Sequence, residues 1–103
     1  MEAHGAWTRR EGQQFDGYEW DESKRRTNIT KHAVDFVDGV AVLLDTHIVS
    51  ESVRGTEQRY VAVAMREGEA LAVIYTVRGN TCRIISVRKA RRDERQEYQA
   101  ILG

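Results

Sequence analysis

The sequence predicts an α+β domain in which helices flank an antiparallel sheet. Two helical segments come first, four segments with strand periodicity follow, and one more helix closes the chain. Because short turns join the strand segments, they are expected to form a meander of roughly four strands. A chain of 103 residues suffices for one domain with a single modest core.

The first 17 residues show no sustained periodicity and contain three glycines. Such a composition is typical of chain termini without fixed structure, so residues 1–17 are expected to be a poorly ordered N-terminal extension. The single domain is then expected to span residues 18–103.

The first helix is predicted over residues 20–32, "WDESKRRTNITKH". Asp21 can accept hydrogen bonds from the free N–H groups of the first turn as the N-cap. Trp20 and Ile29 are its main apolar residues and are expected to anchor it. The helix should therefore lie at the surface and present a largely polar face.

Asp35 is expected to cap a second helix, "FVDGVAVLLD". Its apolar residues Phe36, Val40 and Leu44 recur at helical spacing, which indicates a helix that packs on the core.

Four strand segments follow, rich in β-branched residues and in apolar–polar alternation. They are "HIVSESV" at 47–53, "RYVAVAM" at 59–65, "ALAVIYTV" at 70–77 and "TCRIISV" at 81–87. The turns "REGE" and "RGN" separate the last three segments. The final helix, "RRDERQEYQAIL", can bring Tyr98, Ile101 and Leu102 to the sheet.

The composition is that of an ordinary soluble domain, with 31% charged and 41% apolar residues. No apolar run approaches the ~18 residues that a membrane span needs. The start of the chain has no signal-peptide pattern. A single cysteine, Cys82, cannot form an intrachain disulfide, which fits a reducing compartment. These features together predict a cytoplasmic location.

The zero net charge hides a strong asymmetry. Residues 78–95 carry seven basic side chains against two acidic ones, a local net charge of +5, so the remainder carries −5. A basic region of this kind can bind phosphate or an acidic protein partner. A solvated helix with neighbouring ion pairs explains the same composition.

The strand at 81–87 brings polar residues into a sheet. Period 2 places Ile84, Ser86 and Arg88 on one face, with Arg83, Ile85 and Val87 on the other. Arg83 and Arg88 can share one pocket only at a bulge or at the end of the sheet. Arg88 could bind an anion, or it could pair with a carboxylate of the same chain.

On the first helix, Lys24, Asn28 and His32 stand at positions i, i+4 and i+8 and share one face. Such a row could bind a phosphate, orient a base and transfer a proton near neutral pH. In the alternative interpretation His32 interacts with the helix dipole while the other two face water.

Other catalytic motifs are not found in the sequence. The three histidines have no metal-ligand spacing, and Cys82 alone cannot build a zinc cluster. No phosphate-binding loop or dinucleotide glycine pattern occurs. No metal site or cofactor is therefore expected, and any chemistry should rest on Arg, Lys, His and Tyr side chains.

Two separated segments resemble the BrnT family of toxins from bacterial type II toxin–antitoxin systems. They are "WDESKRRTNITKHAVDF" at 20–36 and "RIISVRKARRDERQEY" at 83–98, with Arg59 before a strand between them. The resemblance runs from about Tyr18 to Tyr98. The sequence departs from the family at Ala33, where family members commonly have glycine. A glycine would suit a left-handed residue at the end of the helix, so the departure bears on the backbone path after His32.

The resemblance implies a fold akin to that of RelE-type ribonucleases and a metal-independent endoribonuclease that cleaves RNA and arrests translation. It also implies neutralisation by a BrnA-type antitoxin, a ribbon-helix-helix DNA-binding protein. The two proteins would form a heterotetramer that reaches operator DNA only through the antitoxin, with no membrane partner.

Under this resemblance the candidate site residues take distinct roles. Arg59, Arg83 and Arg88 are expected to stabilise the phosphate, and His32 is the candidate for proton transfer. Lys24, Asn28, Ser86 and Tyr98 are expected to bind substrate.

Two alternatives stay open. The chain could be a non-catalytic module that binds protein or nucleic acid, or its arginines could serve only as surface ion pairs.

Overall fold

The computed structural model describes residues 6–103. Its elements are β1 (Thr8–Arg10), β2 (Gly17–Glu19), α1 (Glu22–His32), α2 (Phe36–Leu44), β3 (His47–Arg54), β4 (Glu57–Arg66), β5 (Glu69–Arg78), β6 (Thr81–Lys89) and α3 (Arg92–Leu102). The predicted α+β class is confirmed, as are the three helices and the four long strands.

The sheet is larger than expected. It has six strands in the order β1-β3-β4-β5-β6-β2, and β2 pairs with β6 in parallel. The prediction of a purely antiparallel, roughly four-stranded sheet is therefore wrong in number and in direction. The expected layout, akin to RelE-type ribonucleases, does not match the observed architecture in detail. The central meander β3 to β6 is as predicted.

The N-terminal stretch supplies the two additional strands. β1 pairs with β3 at one edge of the sheet, and β2 pairs with β6 at the other. Between them the backbone N–H of Gln13 donates to the carbonyl of Leu43 at 2.8 Å. A side-chain carbon on Gly12 would lie 2.1 Å from the carbonyl oxygen of Leu44, so this glycine permits close contact with the end of α2. Residues 1–5 of the expected extension lie outside the described residues.

Helix α1 is held in place mainly by polar contacts. The side chain of Asp21 accepts from the N–H of Lys24, which confirms the predicted N-cap. Trp20 packs edge-on against Phe36, as expected of an anchor. Ile29, the other expected anchor, is 37% exposed. Asn28 is the residue of this helix that is buried.

Arg25 fixes α1 to the start of α2. Its guanidinium donates two hydrogen bonds to the carboxylate of Asp35, at 2.8 and 2.9 Å, and this carboxylate also accepts from the N–H of Val37 at the start of α2. The hydrogen bonds and charge of Arg25 hold the pKa of Asp35 below its usual value. The turn between the helices passes through Ala33, which has φ 58°. A glycine would take up this left-handed conformation without strain.

Helices α2 and α3 cover opposite faces of the sheet. Helix α2 packs on β4, β5 and β6, where Gly39 allows close approach, because an added side-chain carbon would lie 2.8 Å from Val87. Helix α3 packs on β1, β3 and β4. Tyr98, Ile101 and Leu102 contact the apolar cluster on that side, as predicted.

A β-bulge corrects the predicted faces of β6. Ile74 of β5 pairs with Ser86, but its neighbour Tyr75 pairs with Ile84, so Ile85 is left without a partner in β5. The extra residue changes the alternation, and Ile84 and Val87 both enter the core under α2. The prediction that these two residues lie on opposite faces is therefore wrong. The bulge required to bring Arg83 and Arg88 to one face is present.

Candidate functional site

A basic cleft lies on the sheet face that carries α3. We call it the arginine cleft. It has a volume of about 260 Å³ and is lined by Ser52, Arg54, Arg59, Val61, Ile74, Ile85, Ser86, Arg88 and Arg91. Strands β3 to β6 form its floor, and the start of α3 forms one end. It therefore combines side chains from distant parts of the sequence.

Arg88 is held in the arginine cleft by a bidentate ion pair. Its two terminal nitrogens donate to the two carboxylate oxygens of Glu94, at 2.7 and 2.9 Å. The Arg88 side chain is 16% exposed and that of Glu94 is 1% exposed. Pairing with a carboxylate of the same chain, one of the two interpretations of Arg88, is thus observed.

Glu94 also accepts the backbone N–H of Arg91 at 2.7 Å and so caps α3. Burial raises the pKa of Glu94, but the hydrogen bonds and charge of Arg88 outweigh it, so the pKa lies below its usual value. The charge of Arg88 is therefore fixed in position by a buried anion that also begins α3.

Arg59 and Arg83 have looser ion pairs. Arg59 donates from Nε to Glu57 at 2.8 Å, and its guanidinium holds the pKa of that carboxylate below its usual value. Arg83 lies 3.5 Å from the carboxylate of Glu19 at the edge of the sheet. Arg83 does not line the arginine cleft, whereas Arg59 does.

A second cleft lies between α1 and β6. We call it the lysine–histidine cleft. It has a volume of about 220 Å³ and is lined by Lys24, Thr27, Asn28, Lys31, His32, Ile85 and Ser86. The predicted row of Lys24, Asn28 and His32 is therefore brought to one surface. The helical spacing was sufficient to find this face.

Asn28 holds α1 against the edge of β6 beyond the end of β2. Its side-chain nitrogen donates to the carbonyls of Val34 at 2.9 Å and Val87 at 2.7 Å. Its oxygen accepts from the N–H of Val87 and the hydroxyl of Ser86, both at 3.3 Å. All these bonds are made within the chain. The amide therefore pairs with backbone groups of β6 where no neighbouring strand does so, and it positions the cleft wall.

The two clefts meet at Ile85 and Ser86, which line both. Among the described residues 6–103, no Asp or Glu lines either cleft, although the chain has 16 acidic residues. A third cleft, beside α2, is lined by Asp38, Glu67 and Glu69 together with Arg66. The two joined clefts thus differ from it because all the charged side chains that line them are basic.

Sequence reasoning missed several lining residues. Lys31 stands seven residues after Lys24, so helical periodicity could have placed it on the same face. Ser52 and Arg54 alternate along β3, and strand periodicity could have linked them to one face. Tyr98, predicted to bind substrate, packs under α3 and lines neither cleft.

In the part of the chain from residue 6 onward, no group of three or more His, Cys, Asp or Glu side chains is placed to hold a metal ion. Over the same part, no helix has the length and apolar character needed to cross a membrane.

The fold and clefts define a small α+β domain with a cation-lined surface suited to a polyanion. Residues 20–94 match a family model described as the ribonuclease toxin BrnT of type II toxin–antitoxin systems. This match covers well over half of the 103 residues, and the chain belongs to the BrnT family. The matched segment contains α1, α2, the four long strands and the residues that line both clefts. Comparison with curated proteins gives no match.

Proposed function

We propose that this chain cleaves RNA without a metal ion, thereby arrests translation, and is neutralised by a BrnA-type antitoxin. Its membership of a ribonuclease toxin family gives the reaction class. The observation that carries the proposal for this chain is the pair of joined clefts, in which the charged side chains among the described lining residues are all basic.

In the proposed reaction the ribose 2′-hydroxyl attacks the adjacent phosphorus and displaces the 5′-oxygen of the next nucleotide. The products are a 2′,3′-cyclic phosphate and a 5′-hydroxyl. The 2′-hydroxyl proton passes to a base and the leaving oxygen takes up a proton, and His32 is the side chain proposed for proton transfer. Lys24 would bind the phosphate backbone.

The arginines would stabilise the negative charge that develops on the phosphate. Arg59 is the best-placed candidate, because it lines the arginine cleft and its guanidinium donates to Glu57 from Nε and not from a terminal nitrogen. Arg88 would supply charge from a fixed position, with its terminal nitrogens on Glu94. Arg83 would act from the edge, outside the cleft. Asn28 and Ser86 would shape the wall.

The antitoxin is proposed to cover the basic region and so block RNA electrostatically. A BrnA-type partner would add a ribbon-helix-helix segment, through which a heterotetramer could reach operator DNA. RNA binding should weaken steeply as salt rises, since it depends on phosphate contacts. A mainly apolar antitoxin contact should weaken less.

A non-catalytic binding module is the second candidate. The ion pair of Arg88 with Glu94 favours this alternative, because a buried pair of this kind can serve the structure alone and take no part in catalysis.

An experiment in bacteria distinguishes the ribonuclease toxin from the binding module. The chain is induced with and without the neighbouring gene product, and growth and RNA integrity are followed. If the chain is a ribonuclease toxin, its induction should arrest growth and leave cut RNA, and the neighbouring gene product should relieve both effects. Arg59→Ala and His32→Ala should abolish arrest while the folded protein still binds the antitoxin. Arg78→Ala is the matched control, because Arg78 is exposed and lines neither cleft. Healthy growth with intact RNA and soluble, folded wild type would favour the binding module.

A further inference from the structure

The bulge of β6 places an apolar side chain at the boundary of the two clefts. This side chain is that of Ile85, which is half-buried and lines both clefts. Ile84 and Val87 of the same strand are 2% and 0% exposed. Bulges commonly redirect side chains next to binding sites. Here the redirected residue is an isoleucine between two surfaces whose charged side chains are all basic.

We propose that one single strand of RNA occupies both clefts at once and crosses β6 at Ile85. The side chain of Ile85 packs against the sugar or base that lies between the phosphates held on either side. This inference rests on the proposed function. It adds to that function the strandedness of the RNA, its minimum length and a residue that contacts its uncharged part.

The charge distribution favours a ligand with more than one phosphate. Lys24, Lys31 and His32 lie on one side of Ile85, and Arg59 and Arg91 lie on the other. An inorganic phosphate or a mononucleotide would satisfy the cations of one cleft only. An oligonucleotide places successive phosphates along a chain, and each one that is neutralised releases counterions and adds to affinity.

The apolar boundary favours a single strand over a duplex. In an RNA duplex the base faces are stacked on one another, and side chains cannot enter the narrow major groove. In a single strand the faces of sugar and base are open to an aliphatic side chain. Ser86 beside Ile85 donates its hydroxyl to Asn28, so the rigid contact between α1 and β6 supports the crossing point.

Binding of short oligonucleotides tests this path. The probes are fluorescent 2′-O-methyl oligoribonucleotides, which lack the attacking hydroxyl, with one, two, four and about eleven phosphates, and a duplex of the longest. Anisotropy is measured at several salt concentrations. Affinity should rise with length, and the single strand should bind more tightly than the duplex.

Variants separate the two clefts from the boundary. Lys31→Ala and Arg59→Ala should each reduce the slope of log affinity against log salt by about 0.7, because each removes one phosphate contact. Ile85→Ala and Ile85→Thr should weaken binding about tenfold with the slope unchanged, since they remove apolar contact. Val37→Ala, an exposed β-branched residue on α2 that lines neither cleft, should bind like wild type.

Any one of three results would overturn the proposed RNA path across Ile85 while leaving the proposed function in place. The first is an unchanged affinity and salt slope for Lys31→Ala. The second is an unchanged affinity for folded Ile85→Thr, and the third is a duplex that binds as tightly as the single strand. If the folded wild type binds none of the probes at low salt, the proposed function fails together with the path.

Discussion

At the scale of single residues, polar side chains do structural work that their positions in the sequence do not reveal. Asn28 could be predicted to share a face with Lys24 and His32, and it does. Its amide nevertheless makes four hydrogen bonds to the turn after α1 and to β6. Helical periodicity shows which residues are neighbours, but only the tertiary structure shows which of them has a partner on another element.

Ala33 offers a test of backbone strain. Because an L-residue at φ 58° is strained and glycine is not, Ala33→Gly should raise the free energy of unfolding by about 1 kcal/mol. Urea denaturation measures the change. Thr30→Gly, an exposed position inside α1, is the control and should lower stability by about 0.3 kcal/mol, because threonine is itself a weak helix former. A loss of stability in Ala33→Gly would show that the local path does not require the left-handed conformation.

Glu94 is predicted to be essential for stability. Replacing it with Gln leaves the guanidinium of Arg88 without its anion in a site where the Glu94 side chain is 1% exposed. Breaking such a pair should cost about 3 kcal/mol in Glu94→Gln, measured by urea denaturation. Glu97→Gln, exposed on the same helix, should change stability by less than about 0.5 kcal/mol.

A double-mutant cycle distinguishes pairing from simple packing. In Arg88→Met/Glu94→Gln the unpaired buried charge is gone, so the double variant should be more stable than Glu94→Gln alone. Strictly additive losses would mean that the two side chains do not depend on each other.

Because His47 is buried, the protein is expected to lose stability in mild acid. Burial lowers its pKa in the folded protein, with the Nδ1 atom 2.8 Å from the carbonyl of Asp45. As pH falls below about 6.5, the unfolded chain takes up a proton that the folded chain resists, so the free energy of unfolding falls. His47→Gln should show a shallower fall between pH 7 and 5. An identical slope in both proteins would exclude His47 as the cause.

At the scale of elements, the long strands and capped helices could be predicted because each repeats its pattern over many residues. Asp21 and Asp35 act as the predicted N-caps. Strands β1 and β2 have three residues each, too few for a period to be visible. The bulge at Ile85 is equally hidden, since one inserted residue leaves both halves of β6 with normal alternation.

The division of the chain at residue 18 stays a prediction, and Gly12 provides its test. An added side-chain carbon at Gly12 would lie 2.1 Å from the carbonyl oxygen of Leu44, whereas at Gly17 it would meet nothing within 4 Å. If the stretch is integral to the fold, Gly12→Ala should lower the free energy of unfolding by about 1–3 kcal/mol. Gly17→Ala should change it little. Equal stability of the two variants and wild type would support a dispensable extension.

At the scale of the whole molecule, the zero net charge results from two regions of opposite sign, and folding pairs part of the basic region with carboxylates from elsewhere in the chain, as at Arg83 and Glu19. The basic excess of residues 78–95 meets basic residues of α1 and β3 along the two clefts, although Arg88 is neutralised by Glu94. Sequence could predict that a basic surface exists. It could not predict which arginines are paired, because the partners are distant in sequence or on another element.

We propose that this chain itself cuts RNA at the joined clefts. The most direct test incubates purified protein with a defined single-stranded RNA in EDTA, with and without ribosomes, and identifies the products by mass spectrometry. Cleavage should leave 2′,3′-cyclic phosphate and 5′-hydroxyl ends. It should not occur where a single 2′-deoxy nucleotide replaces the attacking ribose, and it should be lost in Arg59→Ala. Intact RNA under both conditions with folded wild type, or full cleavage by folded Arg59→Ala, would contradict it.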